Sequence, residues 1–135
     1  ELSNIFQPGN HATTFGGNPL SSAVSLKVIE IIKNNNLLSN AETMGLHLKS
    51  KLSKELSKFE WIENIRGLGL MLGIVLNVEA KYLQKKLEEN GLLAIATAGN
   101  ILRMLPPMII SIEEANKAID LIIKSCNDID NEMKN

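Results

Sequence analysis

Cysteine is nearly absent from this 135-residue chain, histidine is scarce, and there is no long apolar run and no surplus of one charge. Each gap removes a class of protein. A single cysteine, Cys126, excludes an internal disulfide and suits a cytoplasmic setting. Its helical spacing from Ile119, Ile122 and Ile123 predicts a packed thiol rather than a catalytic one, since no histidine lies nearby in sequence. No apolar stretch approaches the roughly 20 residues of a membrane-spanning helix, and no signal peptide is visible. The net charge is −1 with both signs interspersed, so no nucleic-acid or membrane-binding surface is expected. The tail Asp128, Asp130 and Glu132 reads as a solvated end. Repeats, low-complexity segments and linkers are also missing. The histidines, His11 and His47, stand without ligand partners, so no metal is expected.

What remains is ordinary globular composition, 44% hydrophobic and 21% charged, in a length that suits a modest core. Pro19 to Lys33 reads as a helix whose broad apolar side carries Ala23, Leu26, Val28, Ile29 and Ile32. Asn34-Asn35-Asn36 breaks it. Ser39 and Glu42 have capping-box spacing, predicting a second helix to about Lys58 that buries Ala41, Met44, Leu48, Leu52, Leu56 and Phe59. His47, among lysines, reads as surface. Leu70 to Leu76 reads as a buried strand. Asn77 is placed as the cap of a short helix over 78–89, with Tyr82, Leu83 and Leu87 inward and Asn90-Gly91 ending it. Leu92 to Ala96 and Ile101 to Leu105 read as a hairpin around Thr97-Ala98-Gly99-Asn100, stopped by Pro106-Pro107. Ser111 with Glu114 caps a last helix to about Asn127. The order after residue 66 is β-α-β-β-α, which predicts an α+β arrangement: a small sheet covered by helices.

The stretch with most chemical content is His11-Ala12-Thr13-Thr14-Phe15-Gly16-Gly17-Asn18-Pro19-Leu20. It offers two adjacent hydroxyls, two glycines that allow sharp turns, an N-cap asparagine and a proline suited to the first helical position. Such a loop can hold a phosphate with hydroxyl and amide donors. The bland alternative is a threonine turn that caps a helix. His11 either donates to an anion or fixes the loop. Arg103 interrupts the apolar strand Ile101-Leu102-Arg103-Met104-Leu105. Its guanidinium either forks onto a carboxylate or snorkels to solvent at an edge. Gly67-Leu68-Gly69 lacks the third glycine and the following helix of a dinucleotide fingerprint.

The string Thr13 to Leu20 preceded by His11, then Arg66-Gly67-Leu68-Gly69-Leu70-Met71-Leu72-Gly73, then Asn100-Ile101-Leu102-Arg103-Met104-Leu105-Pro106-Pro107, resembles the class III pyridoxal-phosphate-dependent aminotransferases. The motifs follow the family's order and span nearly the whole chain. The resemblance implies the small C-terminal domain of the fold type I pyridoxal-phosphate-dependent transferases. Residues 1–18 would be the cofactor loop of the large domain, and 19–135 the connecting helix and small domain. It implies pyridoxal 5′-phosphate as cofactor, with Thr14 bonding its phosphate in the neighbouring subunit of a homodimer. It also implies that Thr13 touches the amino-acid substrate and Arg103 forks onto the substrate's α-carboxylate. The reaction implied is amino transfer from N2-acetylornithine to 2-oxoglutarate, with ornithine or 4-aminobutyrate as alternative donors. Gly16, Gly17 and Asn18 would be shape residues, and Arg66 a structural residue that caps the turn or pairs across a domain boundary.

The same resemblance requires a lysine that binds the cofactor as a Schiff base. In the family it lies upstream of the threonine loop. Thirteen residues precede Thr14 here and none is lysine, while Lys27, Lys33, Lys49, Lys51, Lys54 and Lys58 fall on or beside the first two helices. No catalytic residue is therefore assigned. The chain alone is expected to be inactive, a larger parent is expected because the sequence starts at Glu1 rather than Met, and the isolated piece is expected to expose apolar surface. Readings of another class are a stand-alone carboxylate-binding domain built on Arg103 and an interaction module that pairs through the first helix.

Overall fold

The computed structural model describes residues 5, 9, 10 and 12–134. His11, which entered the reading of the first loop, lies outside the described residues. The chain forms two compact units, Glu1–Asn36 and Leu37–Asn135.

In the first unit, α1 (Pro19–Asn34) starts as its sequence requires. The Asn18 carboxamide oxygen accepts from the Ser21 amide at 3.0 Å, and its nitrogen donates to the Phe15 carbonyl at 2.5 Å. Pro19 occupies the position whose amide would have had no partner. Asn35 caps the far end and Asn36, at φ 52°, turns the chain out of the helix. No residue of α1 is buried; Leu20, Val24, Leu26, Val28, Ile29 and Ile31 are all exposed.

The second unit carries α2 (Leu37–Leu56), β1 (Ile62–Leu68), β2 (Met71–Leu76), α3 (Ala80–Glu89), β3 (Ile95–Thr97), β4 (Ile101–Met104) and α4 (Ile112–Lys134). Its four strands form one antiparallel sheet in the order β1-β2-β4-β3. The α+β arrangement read from the sequence is thus present. Leu72, Ile74, Leu76 and Leu102 from the sheet join Leu48, Leu52 and Leu56 of α2, Leu83 and Leu87 of α3, and Ile119, Ile122 and Cys126 of α4 in one buried core. Side chains on a strand alternate between faces, so the helices of this unit line one face of the sheet and none of them lines the other.

Several expectations are corrected. β1 is a strand that the sequence reading left unassigned. Only Ile65 of its seven residues is buried, and Glu63, Asn64, Arg66 and Gly67 break the alternation, so pairing with β2 rather than its own pattern makes it a strand. α2 begins at Leu37, so Ser39 sits inside the first turn and caps nothing. Asn77 does not cap α3. Its carboxamide donates to the Glu60 carbonyl and its amide to the Trp61 carbonyl, closing the β1–β2 pairing, while the Ala80 amide finds Gly99 O at 2.9 Å. Tyr82 points outward at 66% exposure. Residues 92–94 are not strand; β3 starts at Ile95, and β4 stops at Met104. α4 continues past Asn127 to Lys134, because Ile129 extends its buried stripe by another turn.

The predicted stops are there in detail. After α3 the Gly91 amide bonds Glu88 O and the Leu92 amide bonds Leu87 O, with Gly91 at φ 87°. That is the paired Schellman pattern, which needs a left-handed residue. At α4 the capping box is reciprocal: the Ser111 amide donates to the Glu114 carboxylate at 2.9 Å and the Glu114 amide to Ser111 Oγ at 3.2 Å. Hydrogen bonding to the Glu114 carboxyl from the Ser111 backbone amide, and next from the Ser111 side chain, holds it below its usual pKa.

Candidate functional site

Thr13 and Thr14 belong to the first unit and Arg103 to the second, and each takes its geometry from its own unit. Both threonines are exposed in the turn that leads into α1. Gly16 leaves room for the Thr13 methyl, which would lie 2.2 Å from a β-carbon at that position. Gly17, at φ 75°, carries the chain into the Asn18 cap. Among the described residues neither threonine hydroxyl has a hydrogen-bond partner, so the side chains are not spent on capping. The Asn18 side chain makes the cap of α1. A free hydroxyl beside a flexible glycine pair suits a phosphate oxygen as acceptor.

Arg103 lies on β4, between buried Leu102 and half-buried Met104, and is exposed. The register explains why. Leu102 pairs with Ile74 and Ala96 on the face that carries the core, and Arg103 pairs with Gly73 and Ile95 on the open face. The strand therefore does not bury the guanidinium. Among the described residues Arg103 makes no hydrogen bond or ion pair, so its fork is available.

The same register brings in a residue that the sequence reading left as structural. Gly73 pairs on its other side with Arg66 of β1. Ile95, Arg103, Gly73 and Arg66 thus form one row across all four strands, on the open face. Arg66 is also exposed and also without a partner among the described residues. In the turn itself, Lys49 Nζ donates to Gly67 O at 3.3 Å, and the Gly69 backbone packs against Gly45 of α2.

His47, read as surface, is half-buried and its Nε2 lies 2.8 Å from Asn116 Oδ1, joining α2 to α4. Cys126 is wholly buried, and that burial raises its thiol pKa from 9.0 to about 12, against a smaller lowering by Lys58. A thiol held neutral is neither nucleophile nor ligand. Among the described residues no three His, Cys, Asp or Glu side chains are grouped closely enough to hold a metal ion, and no helix is long and apolar enough to cross a membrane. An apolar groove of about 390 Å³ lies between residues such as Leu92, Met104, Pro107 and Ile122; its one charged lining residue, Glu114, is committed to the α4 cap.

The first unit is an exposed hydroxyl loop opening a helix, and the second is a small antiparallel sheet backed by helices, which together define an α+β protein. The chain belongs to the class III aminotransferases, whose family model matches residues 1–126. It is 43% identical over 119 residues to acetylornithine aminotransferase 1 of Bordetella bronchiseptica, covering 88% of this chain and 30% of that protein. It is also 43% identical over 124 residues to a probable mitochondrial ornithine aminotransferase of Caenorhabditis elegans, covering 90% and 29%. Among solved structures, ornithine aminotransferase from Toxoplasma gondii, whose active site showed partial occupancy of PLP, superposes with TM-score 0.88 at 35% identity, over 98% of this chain and 32% of that one. Acetylornithine aminotransferase from Elizabethkingia anophelis gives 0.82 at 35% identity, over 93% and 34%. The chain spans about 30% of the length of the relatives it matches.

Proposed function

We infer that this chain is the C-terminal part of a pyridoxal-phosphate-dependent aminotransferase that moves the δ-amino group of N2-acetylornithine to 2-oxoglutarate, in arginine biosynthesis, as a cytoplasmic homodimer. The observation that carries the reading is the family match through residues 1–126, which takes in both the exposed threonine loop and the exposed Arg103. The acetylornithine aminotransferase relatives support the donor. In this reading residues 1–18 belong to the cofactor-binding domain and 19–135 to the connecting helix and small domain.

The bound cofactor supplies the electron sink for removing the amino group. Thr14 Oγ1 donates to its phosphate. Thr13 meets the substrate, and the Arg103 fork holds the α-carboxylate of donor and acceptor alike, fixing orientation as well as charge. The exposed apolar residues of α1 serve association with the rest of the dimer. A second reading has ornithine as donor. It draws on the 0.88 superposition and on the equal identity to the nematode relative.

The test is trapping. The chain is mixed with stoichiometric pyridoxal phosphate, reduced with borohydride, and the label located by mass spectrometry. Little label, or label scattered over helix lysines, is expected. Full label at one lysine would show a complete site within these 135 residues and overturn the proposal. Comparing N2-acetylornithine with ornithine as donors to the full-length enzyme separates the two readings.

A further inference from the structure

The chain has fourteen basic residues, of which Arg66 and Arg103 are the only arginines. Lysines occupy all four helices, with Lys58 just beyond α2, and none falls on a strand. The sheet's two cations are therefore both arginines, and they stand in a single row on its open face, one on each side of Gly73. Two pairings separate them, so their α-carbons are about 10 Å apart. Gly73 has no side chain to fill the interval. A β-carbon there would meet only the Ile101 Cγ2 methyl, at 3.0 Å, and the Arg66 carbonyl oxygen, at 4.0 Å. The result is a row in which two exposed arginines flank a buried glycine beside the Ile101 methyl. Neither guanidinium is spent on a partner among the described residues.

We propose that Arg66 is a second anion-binding residue, which with Arg103 forms a two-point cradle for a dicarboxylate across Gly73. Each arginine forks onto one carboxylate, and the methylene spacer lies along Gly73 and the Ile101 methyl. Arginine suits both ends because its donors match a carboxylate in pairs, which a lysine cannot do. A monocarboxylate engages Arg103 alone. The proposal rests on Arg103 being a carboxylate-binding residue, as in the proposed function. It adds that Arg66 selects ligands with a second carboxylate.

The experiment titrates the 135-residue chain with glutarate and with pentanoate, which have equal carbon number, and follows the two arginine Nε–Hε signals by NMR. Glutarate should move both signals and bind about tenfold more tightly than pentanoate, since one added charge-assisted fork is worth about a factor of ten. Arg66→Gln should bring glutarate down to the pentanoate affinity and leave pentanoate unchanged. Arg66→Lys should keep part of the advantage through charge alone. Both positions are exposed, so these variants keep the fold. Glutarate binding no tighter than pentanoate, or unaffected by Arg66→Gln, overturns the proposal. Pentanoate binding indifferent to Arg103→Gln would instead sink the reading of Arg103 on which it rests.

Discussion

Gly45→Ala sets two opposing effects against each other in one substitution. Gly45 lies within α2, where glycine costs about 1 kcal/mol relative to alanine, so propensity alone favours the change. Packing opposes it. A β-carbon at this position would sit 2.2 Å from Gly69 O, 2.4 Å from Gly69 C and 2.8 Å from Gly69 Cα. Ordinary carbon–oxygen approach is about 3.3 Å, so the helix and the β1–β2 turn must separate by about 1 Å. The group struck is backbone, and it cannot rotate away as a side-chain tip would. Gly69 is also held at φ 52° in a tight hairpin. A radial gap of this size forfeits up to about half the dispersion energy of each facing atom pair, and Leu48 and Leu52 pack on from the same helix. Overpacking of this kind costs about 3 kcal/mol, so the net loss is about 2 kcal/mol after the propensity gain. Urea denaturation followed by the fluorescence of buried Trp61 reads it directly. The midpoint should fall by about 1 M, given a slope of about 2 kcal/mol per molar. Ser50→Ala, exposed on the same helix, should raise the midpoint slightly and serves as control. A Gly45→Ala midpoint equal to or above that of the parent would refute the close helix–turn contact.

Two further outcomes follow from buried or half-buried groups. With the Cys126 thiol near 9 when unfolded and about 12 when folded, the folded state holds the extra proton between those values, so stability falls as pH rises through that window. Between pH 8 and pH 10 the parent should lose about 1 kcal/mol more than Cys126→Ala in urea melts, and equal losses would show that the thiol is solvated. Asn40 donates from one carboxamide nitrogen to Met108 O at 2.8 Å and to Ile110 O at 3.1 Å, tying α2 to the segment before α4. Asn40→Ala should cost about 1–2 kcal/mol by leaving both carbonyls short of a donor. Asn40→Asp should cost more, because a carboxylate would face the same two oxygens; an Asp variant as stable as the Ala variant would argue against these bonds.

Local chemistry was legible before any coordinates. The Ser111–Glu114 box, the Asn90-Gly91 stop and the Asn18-Pro19 start are all decided by groups within five residues of one another. The apolar stripes of α2 and α4 follow from helical period, and the class III motifs are contiguous strings. By contrast, Ser39 and Asn77 had capping chemistry that the fold did not use. The chain reached α2 two residues early, and Asn77 was drawn to the carbonyl of Glu60. Tyr82 sits at a helical position where sequence alone cannot choose between core and solvent.

The sequence by itself determined the helices, the start of α1, the stop of α3, the capping box of α4, the α+β class and the family, because each rests on periodicity or on neighbouring residues. Only the tertiary structure decided that β1 is a strand, that Arg103 faces away from the core, and that Arg66 shares its row. Those facts depend on strand register, a relation between different strands, as when Gly73 of β2 meets both Arg66 of β1 and Arg103 of β4. One residue of slip in that register would send each side chain of a strand to the opposite face, and nothing within β1 or β4 alone specifies it.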